Sequence, residues 1–294
     1  MLRALLISAW LALPCPAALA ASLTLRGDYT WAEKDADFGG LSGLIMGRNG
    51  ASLTAVSDDG VAFQAAVARD GAGAVTAINV TSSLRLHDNR NRPVAGFHAN
   101  AEALAPGPRN RIFVAFEGYA RIAAFDLPDP KPKPLHAWDL FKPIWGNAGF
   151  ESLAWLPDGR LIAVVETAVD GRYRVHVQSG RSFVEVPGLP ADGDYAATDA
   201  ALGPDGRLYL LERRQDWLMR FQTRIRRFAV LRGKEPAFGA GETLIETRPG
   251  DLDNMEGLSL WHDTGRNVTV LSLVSDDNFM PFQSTRLVEY DLHE

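Results

Sequence analysis

Short apolar runs broken by turn residues fill the chain and predict β-strands. The runs at 161–165 and 208–211 are aliphatic or aromatic throughout, as expected for short strands buried on both faces. Each follows a Pro-Asp-Gly-Arg turn, at 157–160 and 204–207, in which proline presets one backbone angle and glycine takes the positive φ. No segment keeps a 3.6-residue apolar period for three turns, so the pattern indicates an all-β fold.

One unit of this pattern recurs five times, as a leading polar residue, a strand, a turn, a second strand and a second acid. The interval is roughly 50 to 60 residues, the size of a four-stranded propeller blade. The leading positions are Ser42, Glu102, Glu151, Asp199 and Glu256. The second acids are Asp58, Asp59, Glu117, Glu166, Glu212, Asp276 and Asp277.

The repeat therefore predicts one β-propeller domain over residues 21–294, with five four-stranded blades. Six blades are the alternative, if one of the longer intervals contains a degenerate blade. The last unit offers three strands, and a ring without exposed strand edges needs a fourth. We expect residues 23–31 to supply it and to close the last blade.

The first twenty residues have the pattern of a signal peptide. Arg3 precedes a short apolar run at 5–13, and Ala18-Leu19-Ala20 is the small-x-small sequence that signal peptidase reads. We expect cleavage near Ala20 and a periplasmic or secreted protein. Cys15 is the only cysteine, so the mature chain is predicted to lack disulfides, a thiolate nucleophile and a cysteine-ligated zinc site.

Charge and hydropathy limit the classes of partner that the protein is expected to bind. The chain carries a formal net charge of −6, and duplex binding needs a basic stripe that is not visible here. The one basic cluster, at 224–232, alternates with apolar residues and is interpreted as a strand with a solvated arginine face. We expect no nucleic-acid partner, no membrane span beyond the signal segment and a monomer.

The repeated acids form the candidate site. The first strand of a blade lines the central channel and the second returns to the same end, so both sets of acids should converge at one mouth. The expected metal ligands are Asp58, Glu102, Glu151, Asp199, Glu256 and Asp276. Such hard oxygen ligands suit Ca²⁺ first and Mg²⁺ or Mn²⁺ second. Alternatively, the acids cap strands or pair with arginines such as Arg213 and Arg121.

Other residues near the expected mouth complete the candidate list. Glu102 and Asp277 are candidate catalytic bases. Ser42 is not expected to be a nucleophile, because the segment around it lacks the second glycine of a nucleophile elbow. His98 is the histidine expected nearest the mouth. The candidate substrate-binding residues are Arg213, Arg121, Asn100 and Asn254, with Asn147 as a further amide-oxygen donor. Aromatic residues that could line the entrance or belong to the core are Trp145, Tyr195, Trp217, Trp261 and Phe282.

These segments together resemble the bacterial phytase-like family, whose domain is labelled "esterase-like activity of phytase". The matching segments are 38–44, 56–60, 100–104, 151–154, 198–199, 211–213, 254–259 and 275–279. The resemblance implies an exported propeller that hydrolyses an ester or phosphoester. Calcium-dependent propeller phytases are a more distant likeness, and they bind phosphate with Lys and Arg. Few cations are expected at the mouth of this protein, mainly Arg213, Arg121 and Lys142.

Three functions follow as hypotheses. The first is a metal-dependent hydrolase acting on a small ester or phosphoester at the mouth, with a carboxylate as base. The second is a lactonase-type hydrolase. The third is a non-catalytic propeller, braced by calcium, that binds a partner protein or a glycan.

Overall fold

The computed structural model describes residues 21–146, 149–231, 233 and 235–294. The predicted signal peptide, Asn147 and Arg232 lie outside these ranges. Within them, no helix is both long and apolar enough to cross a bilayer.

The described chain is built almost entirely of strands, with three single-turn 3-10 helices at Arg48–Gly50, Gly96–His98 and Lys142–Ile144. The strands are β1 (Ser22–Thr30), β2 (Leu41–Met46), β3 (Ser52–Ser57), β4 (Val61–Arg69), β5 (Val75–Arg85), β6 (Ala101–Pro106), β7 (Arg111–Phe116), β8 (Arg121–Asp126), β9 (Lys133–Pro134), β10 (Phe150–Trp155), β11 (Leu161–Val169), β12 (Arg172–Ser179), β13 (Ser182–Pro190), β14 (Ala196–Leu202), β15 (Leu208–Gln215), β16 (Phe221–Phe228), β17 (Val230–Leu231), β18 (Ala237–Phe238), β19 (Glu242–Glu246), β20 (Met255–Asp263), β21 (Val268–Ser275) and β22 (Arg286–His293).

Five four-stranded antiparallel sheets form the blades of a propeller. From the inner strand outwards they are β2–β5, β6–β9, β10–β13, then β14, β15, β16 and β19, and finally β20, β21, β22 and β1. The predicted fold and blade number are confirmed, and the six-bladed alternative is wrong. β17 and β18 form a separate two-stranded ribbon.

The N-terminal strand closes the ring, as predicted. β1 pairs antiparallel with β22 from Ser22, opposite His293, to Thr30, opposite Arg286. The last blade thus joins the two ends of the described chain, and its outer strand comes from the start of the sequence. This pairing covers an edge of β22 that would otherwise be open.

The Pro-Asp-Gly-Arg segments form the hairpin turns between inner strands. Gly159 and Gly206 adopt φ values of 81° and 75°, the left-handed region in which glycine has no Cβ penalty. In each turn the aspartate carboxylate accepts the backbone N–H of the arginine two residues later, at 3.1 Å. The turns therefore form from local sequence, which is why they were recognisable.

The apolar core consists of five layers, one in each gap between neighbouring blades. Buried residues of the last and first blades, including Trp31 and Phe63, form one layer, and the other four gaps are filled in the same way. Because each blade packs only on its two neighbours, ring closure adds a whole layer of buried apolar surface.

The predicted solvated face of the basic segment is wrong. Arg224, Arg226 and Arg227 on β16 are all buried. Arg224 and Arg226 both donate to the carboxylate of Glu212, which is fully buried. A buried charge is tolerated only when it is paired and hydrogen-bonded. Arg224 and Arg226 form such an internal ion network with Glu212, between the third and fourth blades. Arg227 pairs separately with Glu242 and Glu294.

Candidate functional site

A β-bulge at the start of each inner strand positions the first set of side chains. The pairing of the first two strands skips one residue in every blade. A bulge leaves the extra residue unpaired and re-aims its side chain. The five bulge residues are Ser42, Glu102, Glu151, Thr198 and Glu256.

The second set lies on or directly after each second strand, one residue beyond the partner of the position that precedes the bulge. The five equivalent residues are Asp58, Glu117, Glu166, Arg213 and Asp276. Both sets lie at the same end of the channel, as the hairpin geometry predicted. The fourth blade differs from the others, because it contributes Thr198 and Arg213 where most blades contribute two acids.

Asp199 and Glu212 therefore do not occupy the positions that the sequence repeat assigned to them. Each lies one residue away from the structurally equivalent position in the fourth blade. The carboxylate of Asp199 is buried and accepts the backbone N–H groups of Ala200 and Leu258, both at 2.7 Å. It bridges the inner strands of the fourth and fifth blades instead of facing its expected partners. The strand register places Thr198 on the bulge, and a one-residue slip turns a side chain to the opposite face.

Three glutamates form the tightest carboxylate cluster among the described residues. Glu102, Glu117 and Glu151 each place a carboxylate oxygen within 4.8 Å of the others, and all three are buried. Burial, followed by mutual repulsion, holds the pKa values of Glu102 and Glu151 well above the usual range, and burial also raises that of Glu117. The cluster can persist only with bound protons or with a cation.

The glutamate cluster has few internal partners. Glu117 accepts the side-chain amide of Asn100 at 2.8 Å. No described residue donates a hydrogen bond to the side chains of Glu102 or Glu151, and no described Lys, Arg or His forms an ion pair with any of the three. Their free oxygens are hard donors of the kind that Ca²⁺ or Mg²⁺ uses.

Arg213 neutralises the other side of the mouth. Its guanidinium donates to Glu256 and to the side-chain oxygen of Asn254, the latter at 2.5 Å, and lies 3.6 Å from Glu166. Asn254 also donates to Glu256 at 2.8 Å. Arg213 and Asn254 therefore stabilise Glu256, and their polar atoms are largely committed to one another.

Asp58 and Asp276 form a third group, contributed by the first and fifth blades. Burial is the main cause that raises the pKa of Asp58 to about 6 and that of Asp276 to about 7. Asp276 accepts the backbone N–H of Asn278 at 2.6 Å, whereas Oδ1 of Asp58 is buried with no hydrogen-bond partner in the structure. Gly40, at φ 59°, leaves the space for this carboxylate, since a Cβ there would collide with it.

Asp277 stabilises a loop. Its carboxylate accepts the backbone N–H groups of Gly40 and Phe279, at 3.0 and 3.1 Å, and the hydroxyl of Thr285 at 3.0 Å. Both oxygens are engaged, which leaves Asp277 poorly suited to the predicted part of a free base. Glu102, the other candidate base, keeps unbonded oxygens at the mouth.

Arg121 lies apart from Arg213. It begins β8, on the outer side of the second blade, and donates to the backbone oxygens of His98 and Tyr119. Its guanidinium stacks over Phe116, 3.7 Å from the ring centre. The two predicted substrate-binding cations thus have separate sets of partners.

The predicted aromatic entrance residues divide into two groups. Tyr195 and Trp261 are buried. Trp145 is partly buried, and its indole N–H has no hydrogen-bond partner in the structure. Trp217 and Phe282 are 87% and 81% exposed, on mouth-side loops of the fourth and fifth blades. Ser42 donates its hydroxyl to the backbone oxygen of Ala101, so it links two blades.

The expected ligand set lacked Glu117, although the sequence contained the signal. Glu117 follows Glu102 at the same interval at which Glu166 follows Glu151. Thr198 was missed because an aspartate directly follows it in the sequence, and only the strand register separates the two. The arrangement as observed can hold a hard cation or retain protons near neutral pH, and either property suits hydrolytic chemistry.

Fold and mouth together define a class of protein, the closed five-bladed propellers with a carboxylate-lined channel opening. Residues 36–279 match the model of the phytase-like family, described as "esterase-like activity of phytase". The chain belongs to this family, as its motifs indicated. No curated protein matches the sequence.

Comparison with solved structures finds matches at low sequence identity. An α-L-arabinofuranosidase from Podospora anserina is 14% identical, with a TM-score of 0.52 over 94% of this chain and 98% of that chain. A Dyadobacter fermentans protein of unknown function is 15% identical, with a TM-score of 0.46 over 85% of this chain and 75% of that one. A Xanthomonas campestris gluconolactonase is 8% identical, with a TM-score of 0.48 over 85% and 72%. At 14% identity, the likeness to the arabinofuranosidase is one of fold.

Proposed function

We propose that the protein is an exported, metal-dependent hydrolase that cleaves an ester at the channel mouth. The observation that carries the proposal is the cluster of Glu102, Glu117 and Glu151, buried within 4.8 Å of one another without an ion-pair partner among the described residues. The family description supports ester hydrolysis as the class of reaction.

A divalent cation fits this cluster. The donors are carboxylate oxygens, the mature sequence offers no thiolate, and the described histidines lie outside the cluster. Hard oxygen donors favour Ca²⁺, with Mg²⁺ or Mn²⁺ as the lesser candidates. Bound there, such an ion would polarise a substrate oxygen and lower the pKa of a water molecule.

Asp58 is the side chain best suited to move a proton. Its pKa of about 6 is close to the pH at which a periplasmic or secreted enzyme would work, and Oδ1 has no hydrogen-bond partner. A general base is most effective when its pKa lies near the operating pH. Asp276, with a pKa of about 7, can exchange protons in the same region.

The charge of the mouth favours a neutral substrate. Four blades contribute carboxylates and only Arg213 among the ten ring positions is cationic, and it is already paired with Glu256. A phosphomonoester would meet this negative field, whereas a carboxylic ester or a lactone would not. We therefore place neutral esters and lactones ahead of phosphoesters as substrates.

The test is a substrate panel measured with and without metal. p-Nitrophenyl acetate, a γ-lactone and p-nitrophenyl phosphate are assayed after chelation and after Ca²⁺ is restored. We expect hydrolysis of the neutral substrates to be lost on chelation, regained with Ca²⁺, and reduced at least ~100-fold by Glu102→Gln. Glu185→Gln, in an exposed pair with Arg174 on the third blade, is the matched control. Activity that survives exhaustive chelation would overturn the metal dependence.

A second candidate, a binding propeller without catalysis, rests on the exposed apolar tips of the mouth loops. Trp217 and Phe282 project from neighbouring blades, and exposed aromatics of this kind mark interaction sites. Under this hypothesis calcium only stabilises the channel. Glu102→Gln would then lower the melting temperature, and no substrate in the panel would be hydrolysed by the parent protein.

A further inference from the structure

The second blade has an incomplete outer edge. Its fourth strand, β9, consists of Lys133–Pro134 alone and pairs with Ala123 and Ala124 only. Proline has no N–H to extend the ladder. The N–H of Ile122 is therefore met by a side chain, Nε2 of His136, at 2.9 Å. The missing strand leaves a groove of about 540 Å³ beside β8.

This groove contains a half-buried cation, Arg121. Arg121 uses two backbone oxygens and the face of Phe116, and it forms no ion pair with a described carboxylate. Burial lowers its pKa to about 10, so it remains charged at neutral pH. A partly desolvated charge without a counter-charge is unfavourable, and a bound anion would compensate it.

The rest of the groove adds to its positive charge. Arg90 and Arg92 line it together with a single acid, Asp88. Asp88 is already held by Arg92, through hydrogen bonds of 2.7 and 3.0 Å. With Arg121, the lining carries three guanidinium groups against one carboxylate. This balance is opposite to that of the mouth and of the chain as a whole.

One wall of the groove is aromatic. Trp138 is 65% exposed, and its ring lies 6.4 Å from that of Tyr119 and 4.7 Å from that of Trp145. Aromatic faces of this kind stack on flat ligand rings. The volume is within the range of small-molecule sites.

We infer that this groove binds a small organic oxyanion, a carboxylate or phosphate group carried on a flat ring, at a site separate from the channel mouth. Arg121 and Arg90 hold the anion, and Trp138 covers the ring. The inference is independent of the hydrolytic function, because none of these residues belongs to the carboxylate rings.

The test is a calorimetric titration of the purified protein with phenyl phosphate, benzoate and inorganic phosphate, each with chelator and with Ca²⁺. We expect saturable binding of phenyl phosphate or benzoate that does not require Ca²⁺. The preferred ring-bearing probe distinguishes a phosphate from a carboxylate ligand, and inorganic phosphate measures the contribution of the ring.

Variants locate the site. Arg121→Lys keeps the charge and Arg90→Gln lies on the surface, and each should weaken the preferred probe by about tenfold, the effect of one charge-assisted hydrogen bond. Trp138→Ala should weaken the ring-bearing probe while leaving inorganic phosphate unchanged. Arg174→Gln, on the third blade, should change nothing.

Two results would overturn the inference. One is the absence of saturable binding by the parent protein for all three probes at millimolar concentration. The other is binding that disappears with chelator and is insensitive to Arg90→Gln and Trp138→Ala, which would place the anion at the mouth.

Discussion

The raised pKa values at the mouth imply an unusual dependence of stability on pH. Burial raises the pKa of Asp276 to about 7 in the folded protein, from an ordinary aspartate value of 3.8. A carboxyl whose folded pKa is raised binds its proton more tightly in the folded state. It therefore contributes stability below its unfolded pKa and loses that contribution as the pH rises through the folded pKa. For Asp276 the total is about 4 kcal/mol, at about 1.4 kcal/mol per tenfold change in proton affinity.

Only part of this contribution to stability is lost within a pH range that is convenient for experiments. Between pH 6.5 and 8.5, with the folded pKa near 7, Asp276 alone costs the chelated protein about 1 kcal/mol, or a few degrees in melting temperature. Buried His136 and His176 have lowered pKa values and act in the opposite sense, because the unfolded state binds their protons more tightly. The decisive measurement is therefore the slope of the unfolding free energy against pH, compared between matched variants.

The assay is thermal unfolding followed by circular dichroism, in chelator, at constant ionic strength. The unfolding free energy of the parent falls between pH 6.5 and 8.5. We expect this fall to be about 1 kcal/mol smaller in Asp276→Asn. Glu185→Gln should keep the parent slope, since Arg174 holds the pKa of Glu185 below its usual range and outside this window. Ca²⁺ should stabilise the parent more at pH 8.5 than at pH 6.5, because protons compete for the same oxygens.

Identical slopes for the parent and Asp276→Asn would refute the reasoning. Asp276 would then be ionised at pH 6.5 despite its burial. Equal stabilisation by Ca²⁺ at both ends of the range would show that the cation binds away from the protonated carboxyls.

Two further predictions concern stability alone. Glu212→Gln leaves Arg224 and Arg226 buried without their common counter-charge, and we expect a loss of about 3–5 kcal/mol in urea unfolding; a loss below about 1 kcal/mol would contradict the ion-network interpretation. Met219 sits at φ 61° in a hairpin turn whose equivalent residue in the 88–92 turn is Asn91, at φ 59°. Met219→Asn should therefore raise the unfolding free energy by about 1 kcal/mol, and an unchanged or lowered melting temperature would count against strain at this position.

The two rings at the mouth show where prediction from the sequence stops. Glu102 and Glu151 were matched correctly because their hairpins are nearly identical in length. In the fourth blade, Asp199 was chosen over Thr198 because acids were matched with acids. Which of two adjacent residues lies on a bulge depends on hydrogen bonds to the neighbouring strand, and a single-residue slip reverses the face.

Burial of charge was also decided by packing between blades. Arg224 and Arg226 alternate with apolar residues in the same way that a half-exposed strand does. Only the approach of Glu212 from β15 shows that both guanidinium groups are internal. Arg121, expected among the few cations of the mouth, lines a groove of the second blade, whose outer strand β9 has only two residues.

Local sequence patterns were enough to predict the repeat, the hairpin turns, the five blades and the strand that closes the ring. These features depend on the residue types in each turn and on the pattern of apolar and polar residues along single strands. Both are properties of a few consecutive residues. The tertiary structure decided which carboxylates share the mouth, which are neutralised by Arg213, and where the second blade is open. Those properties depend on register and contacts between segments far apart in the chain, and no local pattern encodes them.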